Sequence, residues 1–298
     1  MNFDFLSLSD KYNSAVVLGA TATGKTSYAV GLAKELDGEI ISVDSRQVYK
    51  GLDLGTGKDL DEYGEVPYHL IDICTLEREY NVFDFQNDAY RAFEDIKRRK
   101  KLPIFAGGTG LYLDALIREY ELIPVPKNEE LRESLAGKDL SELQKVFFDY
   151  KAQMHNKTDL ENMERLMRAI EIAEYKNTHP DAAEILNASR PDIRPLIIGL
   201  KYPREILRER IRLRLIQRIN DGMIEETERL HKEGFSWERL ESLGLEYKFT
   251  AQYLQGKIEK KEEYIDSLYR AICQFAKRQE TWFRRMEKNG VKISWILK

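Results

Sequence analysis

The sequence predicts an α/β fold, a P-loop parallel sheet with flanking helices and a helical insertion, and three observations carry that prediction. The first is Gly19-Ala20-Thr21-Ala22-Thr23-Gly24-Lys25-Thr26, which has the form G-x-x-x-x-G-K-[ST] and follows the short apolar run Ala15 to Leu18. The second is a series of further short apolar runs, Glu39 to Val43, Tyr68 to Ile71, Leu102 to Ala106 and Leu196 to Leu200, most of them followed by a helical pattern. The third is a shift in composition at Arg118, after which the chain is charged and helical to Ser189 with no strand candidate. Residues 1–117 and 190–298 therefore read as a P-loop core with C-terminal helices, and 118–189 as a helical insertion.

The first strand ends at the glycine-bounded loop. Ser27 to Leu36 then forms a helix, with Tyr28, Leu32 and Leu36 along one face. A strand, a glycine turn and a helix N-terminus make an anion cradle: backbone N–H groups point inward, the helix dipole favours negative charge, and Lys25 adds a cation. Thr26 carries the hydroxyl that reaches a magnesium ion held by the phosphates. The loop holds a diphosphate or triphosphate without saying which molecule carries it.

Asp37-Gly38 stops the helix, and the second strand runs into Asp44 to Tyr49 and then Asp53 to Lys58. Ligands of an open parallel sheet bind beyond the carboxyl ends of its strands, so Asp44 stands beside the P-loop. A cap on the next turn or a pairing with Lys25 would also explain it. After the third strand, Val82 to Ile96 marks an amphipathic helix that ends in Lys97 to Lys101, read as a solvated C-terminus complementing the dipole. The fourth strand is followed by Gly107-Gly108-Thr109-Gly110 and a helix through Ile117. Glycines there admit a ligand close to the backbone and Thr109 offers a hydroxyl; a plain tight turn would explain the glycines but not the threonine.

Within the insertion, helical patterns cover Glu129 to Leu135, Ser141 to Tyr150 and Asp159 to Tyr175. Asn156-Lys157-Thr158-Asp159 matches the guanine-reading N-K-x-D tetrapeptide, but no buried strand precedes it, and it reads as coincidence. The next strand leads to a long helix opened by Pro203, with Leu207, Ile211, Leu215, Ile219 and Met223 as its core stripe. Arg210, Arg214 and Arg218 recur on another face, and six arginines against two glutamates fall between Arg204 and Arg218. Like charges at that spacing repel, so either an anion lies in the groove beside them or the face is simply solvated. Leu243 to Leu254 and Tyr264 to Met286 are helical; Trp282 and Phe283 read as core, and Lys292 to Leu297 as a final edge strand.

Composition bounds the function. Two cysteines outside any C-x-x-C and four scattered histidines exclude a disulfide framework and argue against a zinc site. Met1 to Ser9 is too short and acidic for a signal peptide, no apolar run reaches membrane-spanning length, and the protein is expected in the cytoplasm, away from membranes. A net charge of −4 argues against indiscriminate nucleic-acid binding and leaves room for a local basic groove.

Taken in order, these motifs resemble the tRNA dimethylallyltransferases, also called tRNA isopentenyltransferases. G-A-T-A-T-G-K-T, E-I-I-S-V-D-S-R-Q-V-Y, D-L-G-T-G-K and A-G-G-T-G-L-Y match that family in sequence and spacing. So do E-R-L-M-R-A-I-E from Glu164, R-I-R-L-R from Arg210 with the later Gly222, and A-K-R-Q-E-T-W-F-R from Ala276. The resemblance implies transfer of a dimethylallyl group from dimethylallyl diphosphate to N6 of the adenine following the anticodon of tRNA, with Mg2+, by a monomer. It implies that Gly19 to Thr26 hold the diphosphate with Arg214 and Arg210, and that Asp44 takes a proton from the adenine amine. Lys25 and Arg214 would support the departing charge, and Thr109 would place the base or the diphosphate. The tRNA anticodon stem-loop would meet Asp44, Ser45, Arg46, Gln47, Val48, Tyr49, Thr109, Glu164, Arg165, Arg168, Lys277, Arg278 and Gln279.

The chain departs from the family pattern at Thr23 for serine, Gly57 for the alanine of G-T-A-K, Glu164 for glutamine, Leu245 for tyrosine, and Ile272-Cys273-Gln274 for T-R-Q. Three rival readings stand beside the resemblance: a P-loop small-molecule kinase, a prenyltransferase of free adenine nucleotides, and an RNA-binding P-loop protein without turnover. The arginine helix and the insertion favour a macromolecular substrate over the first two, and Asp44 with Lys25 speak against the third.

Overall fold

The computed structural model describes residues 11–118, 120, 122–150, 160–181 and 190–298. Met1 to Ser9 and the Asn156 to Asp159 tetrapeptide lie outside the described residues. The chain forms two compact units, Met1–Tyr120 with Pro191–Lys298, and Glu121–Arg190.

In the first unit, strands β1 (Ser14–Gly19), β2 (Gly38–Val43), β3 (Tyr68–His69), β4 (Leu102–Gly107), β5 (Pro195–Lys201) and β6 (Ser294–Leu297) form one parallel sheet in the order β3-β2-β4-β1-β5-β6. Every residue of β1 and β2 is buried, as expected of strands covered on both faces. Because successive side chains point to opposite faces, each strand divides its residues between two cores. Val16, Leu18, Ile41, Val43 and Phe105 face one way, against Phe85, Phe93 and Ile96 of α2 (Val82–Arg98). Ala15, Val17, Ile40 and Ile104 face the other, against Ala29, Val30 and Ala33 of α1 (Lys25–Glu35).

The remaining helices of this unit are α3 (Gly110–Ile117), α7 (Arg204–Asn220), α8 (Met223–Lys232), α9 (Trp237–Ser242), α10 (Leu245–Leu254) and α11 (Lys261–Lys288). Helices α7 and α11 pack stripe to stripe. Leu207, Ile211, Leu215 and Ile219 share one core with Tyr264, Leu268, Ile272 and Ala276, and Ala20 and Ala22 of the P-loop belong to the same cluster. That packing sets the arginine helix and the last long helix beside the loop.

Several boundaries differ from those the sequence predicts, each for a local reason. The helix opened by Pro203 ends at Asn220, because Gly222 turns left-handed at φ 106°, and Met223 begins the next helix. Gly244, at φ 140°, likewise divides the run from Leu243 to Leu254. Strand β3 stops at His69 because Leu70 takes a left-handed φ of 64°. The basic run after α2 is not merely solvated: Arg99 pairs with Glu39 and Asp95, and Lys101 donates to Asp37 at 2.9 Å. Phe283 is buried and Trp282 packs against the main core, as the sequence predicts.

The second unit contains α4 (Glu129–Leu135), α5 (Leu140–Asp149) and α6 (Met163–Thr178) around Leu135, Leu143, Phe147, Leu166 and Ile170. Glu171 is buried on α6. It accepts from Arg132 Nε at 2.6 Å, Arg168 Nη1 at 2.8 Å and the Asn128 amide at 3.2 Å. Burial pushes its carboxyl up, but these bonds win and hold it at about 2. Glu171→Ala would remove the charge-assisted bonds of two partly exposed arginines, at a cost of about 1.5–3 kcal/mol. Hydrogen exchange should show lost protection in α4, α5 and α6 with the sheet unchanged. Because the folded carboxyl titrates below its unfolded range, the charge stabilises this unit above about pH 4.5 in the native protein and ceases to do so as pH falls toward 2.

Candidate active site

The strand register brings three loops together. Leu18 of β1 and Val43 of β2 both lie opposite Gly107 of β4, so the three strands finish level at their carboxyl ends. The P-loop, the Asp44 turn and the Gly107-Gly108-Thr109 loop leave that edge and line one cavity of about 440 Å³, joined by residues of α7, α10 and α11.

Gly24 takes φ 76° and hands the loop to α1, a conformation that suits glycine because a Cβ would crowd the backbone there. The first-turn amides of α1 have no intrahelical acceptor and form the anion-attracting end of the helix. Thr23 Oγ1 and Lys25 Nζ both donate to the Ala20 carbonyl, each at 2.8 Å. Thr23 is thus spent inside the loop, while Lys25 and Thr26 line the cavity. Burial, helped by the nearby Arg214 charge and opposed by Asp44, brings the Lys25 ammonium down to about 8. Gln279 of α11 ties the loops to each other: Thr21 N donates to its Oε1 at 2.8 Å, and its Nε2 donates to the Gly108 carbonyl at 2.9 Å.

Asp44 is fixed by one oxygen. Its Oδ1 accepts from Arg46 N at 2.8 Å and Gln47 N at 3.3 Å, so the turn-capping role and a place at the cavity coexist. Thr109 Oγ1 accepts from Ser45 N at 3.2 Å, which leaves its own proton to donate. The neighbouring segment from Asp53 to Lys58 is held from within. Glu226 accepts from the amides of Asp53, Leu54 and Gly55 and from the Tyr247 hydroxyl, at 2.6 to 3.2 Å. Lys58 is buried and donates to Asp53, Asp72 and the Tyr49 carbonyl.

Arg214 and Arg218 also line the cavity, and both pair with Asp59. Burial pushes the Asp59 carboxyl up, but the two guanidinium groups outweigh it and hold the carboxyl below the usual range. Glu246 lines the same cavity, and burial raises its carboxyl against the pull of Arg218 and Arg214. Among the described residues no group of three or more His, Cys, Asp or Glu side chains is gathered to hold a metal. The Thr26 hydroxyl at the anion cradle fits a magnesium ion that takes its other ligands from phosphate and water, the usual habit of that ion.

The structure assigns other places to several residues expected at the substrate. Val48 and Tyr49 face the main core and are buried, so their side chains cannot meet a macromolecule. Gln47 lines the cavity with its amide engaged, accepting from Ser42 Oγ at 2.9 Å and donating to the Gly57 carbonyl at 3.0 Å. Gln279 is buried and similarly occupied, so both glutamines position loops. Arg210 donates to the Ala22 carbonyl at 2.8 Å, stacks on Tyr202 and lines an outer groove with Lys25, Thr26 and Arg214. Ser45, Arg46 and Arg278 line the cavity, and Lys277 is exposed near it in sequence. In the second unit, Glu164 and Arg165 are exposed, and Arg168 is committed to Glu171 and the Val125 carbonyl. The sequence assigns no role to Glu226, Glu246 or Asp59, and places Arg218 only in a pattern. The continuation of the arginine series to 218 and the glycine at 57 were the available signals.

The IPP transferase family model matches residues 47–286, and the isopentenyl transferase model matches residues 12–66. A tRNA dimethylallyltransferase 2 of Treponema denticola is 90% identical over 298 residues, covering 100% of each chain. The tRNA dimethylallyltransferase of Treponema pallidum is 59% identical over 288 residues, covering 96% of this chain and 91% of that one. The crystal structure of the full-length tRNA isopentenylpyrophosphate transferase from Bacillus halodurans is similar at a TM-score of 0.68 and 34% identity, covering 96% of this chain and 90% of that one.

The Lys25 environment predicts a pH dependence for anion binding. The charged ammonium favours the anion, and without a ligand it titrates at about 8. Pyrophosphate affinity, measured by calorimetry between pH 7 and 9.5, should fall above pH 8 by up to about tenfold per pH unit. Lys25→Met should remove that component and leave only the titration of the ligand itself.

Proposed function

The chain belongs to the IPP transferase family, and from that premise we propose that it transfers a dimethylallyl group from dimethylallyl diphosphate to N6 of the adenine following the anticodon in tRNA, releasing diphosphate. The observation that supports the reading best is the meeting, in one cavity, of a phosphate cradle and a carboxylate that, among the described residues, is held by only one of its oxygens. A kinase would also use the cradle, but nothing in the relatives' names points to phosphoryl transfer.

The chemistry asks two things of the protein. Diphosphate must leave with its negative charge stabilised, and the adenine amine must lose a proton. The P-loop amides, Lys25 and Arg214 meet the first need, since preorganised donors aimed at developing charge lower a barrier most when they are already in place. A magnesium ion at the Thr26 hydroxyl would neutralise further charge on the diphosphate. Asp44 meets the second need. As N6 bonds to the allylic carbon and the carbon–oxygen bond to diphosphate breaks, one N6 proton passes to the Asp44 carboxylate. The amine lone pair is delocalised into the ring, so a positioned base matters. Thr109, with its proton free to donate, steadies the base or the diphosphate beside Asp44.

The target adenine leaves its stack to reach the cavity, as substrates of other base-modifying enzymes do. Ser45, Arg46 and Arg278 at the cavity, with Lys277 and Arg165, are the residues we assign to the anticodon stem-loop. The protein is read as acting as a monomer. No described helix is long and apolar enough to cross a membrane.

Mass spectrometry of the adenine next to the anticodon, in tRNA incubated with dimethylallyl diphosphate with and without the protein, tests the activity directly. Asp44→Asn should retain diphosphate binding and lower turnover by about 10²–10⁴-fold. Near-normal turnover in that variant would remove Asp44 from the role of base.

A further inference from the structure

Arg214 and Arg218 stand one helical turn apart on α7, close enough for their charges to repel. Both guanidinium groups meet a single carboxylate, that of Asp59 in the outer groove, which the two arginines line together with Lys25 and Thr26. Asp59 Oδ2 accepts from Arg214 Nη2 and, at 3.5 Å, from Arg218 Nη2. The longer bond is the only ion pair that Arg218 makes among the described residues, yet its side chain is 11% exposed. A cation so nearly dry and so loosely paired is expensive unless a stronger anion completes it. Burial and the neighbouring Arg214 charge both lower its guanidinium, with Asp59 and Glu246 opposing.

The space that Arg218 enters exists because residue 57 is glycine. Gly57 takes φ 62°, and a Cβ on it would lie 1.6 Å from Arg218 Nη2 and 2.8 Å from Arg214 Nη2. The Gly57 backbone is not free to retreat, since Gln47 Nε2 donates to its carbonyl and Glu226 holds the amides of residues 53–55. Both arginines share the cavity with Lys25 and Thr26. Asp59, 35% exposed, thus occupies the bridging position that an anion oxygen would take between two guanidinium groups.

We propose that Arg218 is a second diphosphate-binding arginine, admitted by Gly57 and shared with Arg214 on Asp59, whose carboxylate gives way to the ligand's oxygens. The proposal rests on the reading that the P-loop cavity holds a diphosphate. A diphosphate carries more charge and more acceptor oxygens than one carboxylate, and each guanidinium gains a charge-assisted bond in the exchange. Arg218 then completes a set of three cations with Lys25 and Arg214, and Asp59 becomes an internal competitor that sets how tightly diphosphate is held.

Calorimetric titration with inorganic pyrophosphate tests this through effects of opposite sign. Arg218→Met should weaken pyrophosphate about 10- to 100-fold, the range of a lost ionic hydrogen bond. Gly57→Ala should weaken it similarly by displacing the guanidinium, and the double variant should bind no worse than Arg218→Met alone. Asp59→Asn should tighten pyrophosphate about three- to tenfold. Unchanged affinity in Arg218→Met with a lowered melting temperature would make Arg218 a structural tie and overturn the proposal, as would weaker binding in Asp59→Asn. Should Arg218→Met fail to fold, Asp59→Asn decides, because both arginines stay in the chain and the left-handed turn at Gly57 is untouched. Lys25→Ala separates the two levels: if it leaves pyrophosphate affinity intact, the diphosphate reading itself has failed.

Discussion

A parallel sheet ends its strands at one edge, and the register of this one puts the ends of β1, β2 and β4 at the same height. The P-loop, Asp44 and Thr109 walls of the cavity follow from that constraint. The backbone groups that the strands no longer pair must find other partners, and they find them in the loops that carry Lys25, Asp44 and Thr109. The P-loop supplies unpaired amides for an anion, the Asp44 turn satisfies its own amides with a carboxylate, and the Thr109 loop lends a hydroxyl to that turn. A shift of one residue in the β2–β4 register would turn the inward set of side chains outward and move Asp44 away from the loop.

How much of this was legible in the sequence depended on whether a residue acts locally. The strands and the P-loop announced themselves because burial on both faces demands unbroken apolar runs and an anion cradle demands its glycines. Asp44 and Thr109 were legible from their place just after strands. The stripe of α7 and its arginine face were legible from spacing by four. Residues acting across the fold were not. Glu226 lies more than 170 residues from the amides it holds, and nothing in its own helix distinguishes it from a solvated glutamate. Val48 and Tyr49 directly follow Asp44 to Gln47, which face the cavity, yet the backbone turns them into the core. Gly222 and Gly244 were visible as glycines, but their left-handed or extended-positive conformations, which divide the helices, were not.

The electrostatics reconcile an acidic chain with an anionic ligand. Net charge of −4 sets the far field, but the near field is made by cations that are partly or largely shielded from water, Arg218 most of all. In such surroundings opposite charges interact more strongly than at the surface, so a few arginines and one lysine suffice where the rest of the molecule is neutral or acidic. Two carboxylates, the 35% exposed Asp59 and the partly buried Glu246, stand beside these cations and offset part of their charge.

The bridge made by Gln279 has a consequence for how the molecule comes into being. Thr21 and Gln279 are 258 residues apart, and Gly108 and Gln279 are 171 apart. The first four strands carry the P-loop, the Asp44 turn and the Thr109 loop, yet the clamp that sets the P-loop against the Thr109 loop arrives only with the last long helix. A chain emerging from the ribosome N-terminus first therefore holds its P-loop and its Thr109 loop without their common support for most of its synthesis. Closure across so many residues is a late event in folding, and the assembled cradle is the property of a finished chain.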